Sequence, residues 1–244
     1  MLSLYLLLLL LAVIAFLYAS VGHGGASGYL AIMGIVGIAP VMMKPSALVM
    51  NLAVSAFSFI GFYKAGYFKG KLFWPFALAS IPMAYWGGTI SLSDVVYKKM
   101  LAVCMLLAIA RMLYQFQQST HQNKPIPIWA GLLSGGSIGL LSGMMGIGGG
   151  ILLSPLMLLM RWATIKQAAA VSALFIFVNS LSGLYGQFQK GGIHLSTHLQ
   201  YAVAATVVGG LMGSYYGSQK FNIPTLKYLL SIGLTIASLK MLFM

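Results

Sequence analysis

Two glycine-rich runs hold the residues best suited to binding in this 244-residue chain: Gly22-His23-Gly24-Gly25 and Gly146-Ile147-Gly148-Gly149. Clustered glycine weakens a helix by about 1 kcal/mol per residue relative to alanine. It also frees the backbone to take positive φ and to approach a ligand closely. A helix that starts just after such a run points unpaired N–H groups and a partial positive charge at the break. The chemistry on offer is anion binding by backbone dipoles, with no buried Lys or Arg required. The competing explanation is that these glycines only let helices turn or pack. No Lys-Ser/Thr pair follows either run and no strand precedes it, so a nucleotide loop is excluded.

Few polar side chains stand near the breaks. His23 lies inside the first run and offers a hydrogen bond to an oxyanion, a titratable proton, or a structural bond to a freed carbonyl. Asn51 and Ser55 share a helical face at i, i+4, and Ser172 and Asn179 fall on the corresponding later segment. Their amide and hydroxyl groups suit oxyanion selection or interhelical hydrogen bonding equally well. His194 and His198 have the spacing of a metal pair but no third ligand nearby, so no metal and no cofactor are expected. Asp94, the only acid, opens a segment with Lys98 four residues on and reads as a helix-start carboxylate. The single Cys104 excludes an internal disulfide and a thiolate cluster.

The elements that position these residues are membrane helices. Hydrophobic residues make up 60% of the chain and charged residues 6%, against about 25% charged in a soluble domain. Mean hydropathy is +0.93. A soluble enzyme, a secreted disulfide scaffold and a disordered tail are excluded. Fourteen Lys and Arg face one acid for a net charge of +13. These cations punctuate apolar segments instead of forming a patch, which argues for a bilayer surface and against nucleic acid. The start of the chain lacks the basic region of a secretory signal and is expected to be a retained helix.

Apolar segments fall at 2–21, 26–43, 46–63, 72–90 and 97–114, then at 127–145, 149–160, 165–186, 197–217 and 224–243. Most match the length of a bilayer-spanning helix. The polar stretch 115–126 links a first half, 1–114, to a second, 127–244. The halves resemble each other in order and spacing. Gly22, Gly24 and Gly25 recur 124 residues later, and Lys44, Ala47, Val49, Leu52, Ser58, Gly61 and Tyr63 recur 122 residues later. Each half opens with two segments joined by a glycine run, a hairpin that returns to its starting side. Three further spans leave an odd number of crossings, so the halves are expected to be inverted. The expected fold is an all-α polytopic membrane protein of about ten segments in two inverted five-segment repeats. Gly131, Gly135, Gly139 and Gly143, and Gly209, Gly213 and Gly217, repeat at spacing four as helix-packing stripes. Lys and Arg divide nine to five in favour of the side holding the linker, which places it in the cytoplasm and both termini outside.

With a glycine run opening each half, a Lys-Ala-containing stretch some twenty residues on (Lys44–Asn51, Lys166–Ser172) and Gly66 and Gly192 beyond, the chain resembles the TauE/SafE sulfite exporter family across residues 10–243. His23 within the first run and Ser172 where threonine is frequent depart from the common pattern. The resemblance implies export of small sulfur oxyanions such as sulfite, sulfoacetate or related sulfonates across the inner membrane. The residues expected to hold the anion are Gly22, His23, Gly24, Gly25, Asn51, Gly146, Gly148, Gly149 and Ser172. The expected partners are that anion and the lipid bilayer, with a homodimer left open. The alternatives are a permease for another anion or for sulfonate uptake, a membrane-embedded enzyme, or a structural subunit.

Overall fold

The computed structural model describes residues 4–113, 124–191 and 198–219. Among these it contains helices α1 (Leu4–Ser20), α2 (Ala26–Val36), α3 (Pro40–Lys64), α4 (Gly70–Thr89), α5 (Asp94–Leu113), α6 (Ile128–Met145), α7 (Gly150–Leu159), α8 (Ile165–Gly191) and α9 (Leu199–Gln219). No strand occurs among the described residues. Helix satisfies backbone polar groups within the segment, which a bilayer interior demands. By length and composition α3, α6 and α8 can each cross a membrane. The expected segment at 224–243 and most of the expected linker lie outside the described residues.

The second and third apolar segments divide differently from their hydropathy. α2 has 11 residues and α3 has 25. Gly37, at φ 85°, ends α2 by donating to the Gly34 carbonyl, while the Ile38 N–H bonds the Met33 carbonyl at 2.9 Å. Pro40 then starts α3, where a missing N–H costs nothing. The residues on both sides of this turn are apolar, so hydropathy carries no mark of it. The same cap recurs 124 residues later, where Arg161 donates to the Leu158 carbonyl and Trp162 to the Met157 carbonyl. Arg161 takes φ 58° there without being glycine. At about 1.5 Å per residue, α2 and the 10-residue α7 are too short for the ~30 Å hydrocarbon core.

Packing runs between the halves. α4 lies along α6, and α1 along α9. Both pairs are held by the glycine stripes: Gly135, Gly139 and Gly143 sit against the backbone of Phe76, Ser80 and Ala84, and Gly209, Gly213 and Gly217 against that of Ala12, Phe16 and Ser20. These are the packing faces expected from their spacing. Residue numbers rise together in both pairs, so each pair is parallel. Ser214 on the Phe57 carbonyl and Gly210 on Val54 make α3 parallel to α9, and Ser182 on the Ile81 carbonyl makes α8 parallel to α4. α3 and α8 cross antiparallel, with Phe62 against Ala169 and Ala170 at one end and Leu48 facing Gly183 at the other. Hence α1, α3 and α9 run one way and α4, α6 and α8 the other. Trp74, Trp86 and Trp129, all more than half exposed near helix ends, stand where an aromatic belt would meet the interface.

Candidate functional site

Glycine is required at the breaks by conformation. Gly22, Gly25, Gly146, Gly148 and Gly149 adopt φ of 79°, 92°, 78°, 74° and 80°, a region that costs other residues about 1–2 kcal/mol. Gly25 and Gly149 directly precede α2 and α7. Close packing is the second requirement. Gly22 sits against the Ala169 backbone and Gly146 against Lys44, so each break is buttressed by the long helix of the other half.

The two breaks meet at the crossing of α3 and α8. A methyl group added at Gly24 would lie 2.5 Å from Asn51 Oδ1 and 2.8 Å from Ile176 Cγ2. One added at Gly148 would lie 2.7 Å from Asn51 Nδ2, 2.7 Å from the same Ile176 methyl and 3.1 Å from Ser180 Oγ. Asn51 and Ile176 are therefore sandwiched between backbone from opposite halves. The Asn51 amide is oriented by α2, because its Oδ1 accepts the Ala26 N–H at 3.0 Å. That bond supplies one of the acceptors a helix start lacks and turns Nδ2 toward Gly148.

Asn51 Nδ2 is fully buried and has no hydrogen-bond partner, and the same holds for Ser180 Oγ, Ser142 Oγ and Tyr29 OH. All four are donors beside the breaks. Tyr29 OH lies 2.6 Å from the Cβ position of Gly25, and Ser142 Cβ 3.4 Å from that of Gly149. An unmet buried donor costs about 1–3 kcal/mol, so a group of them in an apolar interior is complementary to an acceptor-rich guest.

The other expected residues are placed around this centre. His23 is half-buried, with Nδ1 3.1 Å from the Val21 carbonyl and its ring edge-on to Tyr18. Ser172 Oγ pairs with Ser154 Oγ at 2.6 Å, tying α8 to α7 a turn away from Ile176. Ser55 bonds back to the Asn51 carbonyl, and Asn179 Nδ2 to that of Phe175 at 2.9 Å. Lys44 reaches the Gly88 carbonyl at 3.5 Å, and Lys166, 122 residues later, reaches the Tyr67 hydroxyl at 3.1 Å. Asp94 and Lys98 line a separate 230 Å³ cavity at the α2–α3 turn. His194 lies outside the described residues, among which no group of three metal-ligating side chains occurs.

Ile176, Ser180, Ser142 and Tyr29 were not expected from the sequence. For Ser180 a signal existed, since it stands 122 residues after Ser58, the offset at which Lys44 matches Lys166 and Gly61 matches Gly183. Ser58 bonds the Ala19 carbonyl at the end of α1, against the first break.

The family model described as sulfite exporter TauE/SafE matches residues 7–241. A protein named probable membrane transporter protein y4hK, from Sinorhizobium fredii, is 34% identical over 235 residues, covering 95% of each chain. No solved structure matches.

Proposed function

The chain belongs to the sulfite exporter TauE/SafE family of membrane transporters, and from that premise we propose that it exports small sulfur oxyanions through a site where its two glycine breaks meet. The observation that carries this reading is Asn51. It is held between Gly24 and Gly148 and buried, with its amide N–H groups unanswered. The site is closed in this conformation, since Ile176 fills the space between the breaks. Passage requires α3 and α8, or the hairpins resting on them, to part alternately toward each side.

Two inverted five-segment repeats would provide that motion. Three observations support the inversion. α3 and its counterpart α8 cross antiparallel, the α4–α6 and α1–α9 pairs exchange when the halves are exchanged, and the cap after α2 recurs after α7. The Lys and Arg count favours a cytoplasmic linker and extracytoplasmic termini in an inner membrane. With the cytoplasm negative, each charge that leaves gains about 2.3 kcal/mol per 100 mV, enough to drive efflux without a coupling ion.

The test is a flux panel. Proteoliposomes loaded with sulfite, sulfoacetate, sulfate or chloride and given an outside-positive potential should lose sulfite and sulfoacetate faster than protein-free vesicles do. Equal rates for all four anions would overturn the proposal.

A further inference from the structure

We propose that the 230 Å³ cavity at the α2–α3 turn holds the headgroup of a phosphatidylethanolamine, with its ammonium on Asp94 and its phosphate on Lys98. The site stands apart from the two breaks and needs only the membrane setting of the chain. The end of α2, the start of α3 and the first turns of α5 frame the cavity through Gly34, Gly37, Met43, Asp94 and Lys98. It has several times the ~30 Å³ that one water takes. Its level is that of a membrane interface. Lys44, in the first turns of α3, reaches Gly88 at the end of α4, and Trp86 near that end is more than half exposed.

Both signs of charge line this one cavity. Asp94 is the only acid in a chain with fourteen Lys and Arg, and Lys98 stands one helical turn on. Among the described residues neither side chain makes an ion pair. A lone anion is repelled by the carboxylate and a lone cation by the ammonium, so the complementary guest carries both charges. The end of α2, with Gly34 and Gly37 on the cavity wall, adds partial negative charge and favours a cationic group that can donate. A primary ammonium brings three N–H donors, a choline group brings none, and a glycerol headgroup has no positive charge. Lys98 meets the phosphate as a point charge. The framing elements also present bare apolar surface, since Val36 on α2, Val41 on α3 and Val95 on α5 are all exposed. Acyl chains cover such a surface and a soluble zwitterion does not, which makes the occupant a lipid.

The experiment is native mass spectrometry of the full chain in detergent, with equal amounts of phosphatidylethanolamine, phosphatidylglycerol and phosphatidylcholine of one acyl composition. Phosphatidylethanolamine should be retained about tenfold over either of the others, because both lack the charge-assisted hydrogen bond to Asp94. Asp94→Asn keeps a residue suited to a helix start. It should lower phosphatidylethanolamine retention to the level of phosphatidylcholine and raise that of phosphatidylglycerol, whose phosphate the carboxylate no longer repels. Lys98→Met keeps the apolar stem and should lower retention of all three lipids, which share the phosphate. The opposite responses of phosphatidylglycerol to the two substitutions distinguish loss of a charge from loss of fold. Equal retention of the three lipids by the parent, or parental preference in either folded variant, overturns the inference. So does displacement of the lipid by glycerophosphoethanolamine at matched concentration, which assigns the cavity to a soluble zwitterion. None of these outcomes bears on anion flux, so the transport proposal stands or falls separately.

Discussion

Asn51 ties the stability of the first hairpin to the polarity of the second. Replacing it with alanine removes the acceptor for the Ala26 N–H, and a buried N–H left unmet costs about 1–3 kcal/mol. Denaturation of Asn51→Ala in detergent should show a loss of that size. Tyr29→Phe should show little loss or a small gain, because it deletes a buried hydroxyl that bonds nothing. A Tyr29→Phe variant as unstable as Asn51→Ala would mean that the hydroxyl has a native partner. The sequence made the glycines and Asn51 legible, because φ > 0 and a buried amide each demand a particular residue type. It concealed Ser180, since a serine in an apolar helix looks the same whether it bonds its own backbone, as Ser55 does, or faces another chain segment. Ser172 shows the converse, for its motif position is prominent and its hydroxyl is spent on Ser154.

Helices in this molecule are placed by glycine in two distinguishable ways. At Gly139 and Gly213 any Cβ would enter the backbone of Ser80 or Phe16, so the cost is a collision between whole helices. At Gly37 and Gly66 nothing lies within 4 Å and only the positive φ opposes substitution. Gly139→Ala and Gly213→Ala should therefore lower the unfolding free energy by about 1–3 kcal/mol. Gly37→Ala and Gly66→Ala should cost about 1–2 kcal/mol, and Gly37→Asn and Gly66→Asn less, because asparagine tolerates αL. Asparagine at Gly139 should give no such relief. Melting curves of these seven variants separate the two causes. Spacing of four announced the stripes. The α2–α3 boundary was unreadable because Pro45, which hydropathy places at a segment edge, lies within α3 as one of that helix's two prolines, the other being Pro40 at its start.

For the molecule as a whole, orientation and assembly are the open measurements. With Cys104 replaced by alanine, Lys124→Cys should react with an impermeant thiol reagent only from the cytoplasmic face. Ser91→Cys, in the exposed turn after α4, should react only from the opposite face. Reaction of both from one side would refute the proposed threading. The small residues are also shared out unevenly. Where α4 meets α6 the stripe belongs mostly to α6, with Gly87 of α4 set on the Leu140 carbonyl in return, and where α1 meets α9 it belongs to α9, so the smooth surfaces come mainly from the second half. A first half facing its own twin would set ridge on ridge, and a second half would set hollow on hollow. Expressed as separate polypeptides, 1–126 and 127–244 should each be orphans that neither self-pair nor persist, and should copurify only when made together. Similar as their sequences are, the halves have become mould and cast.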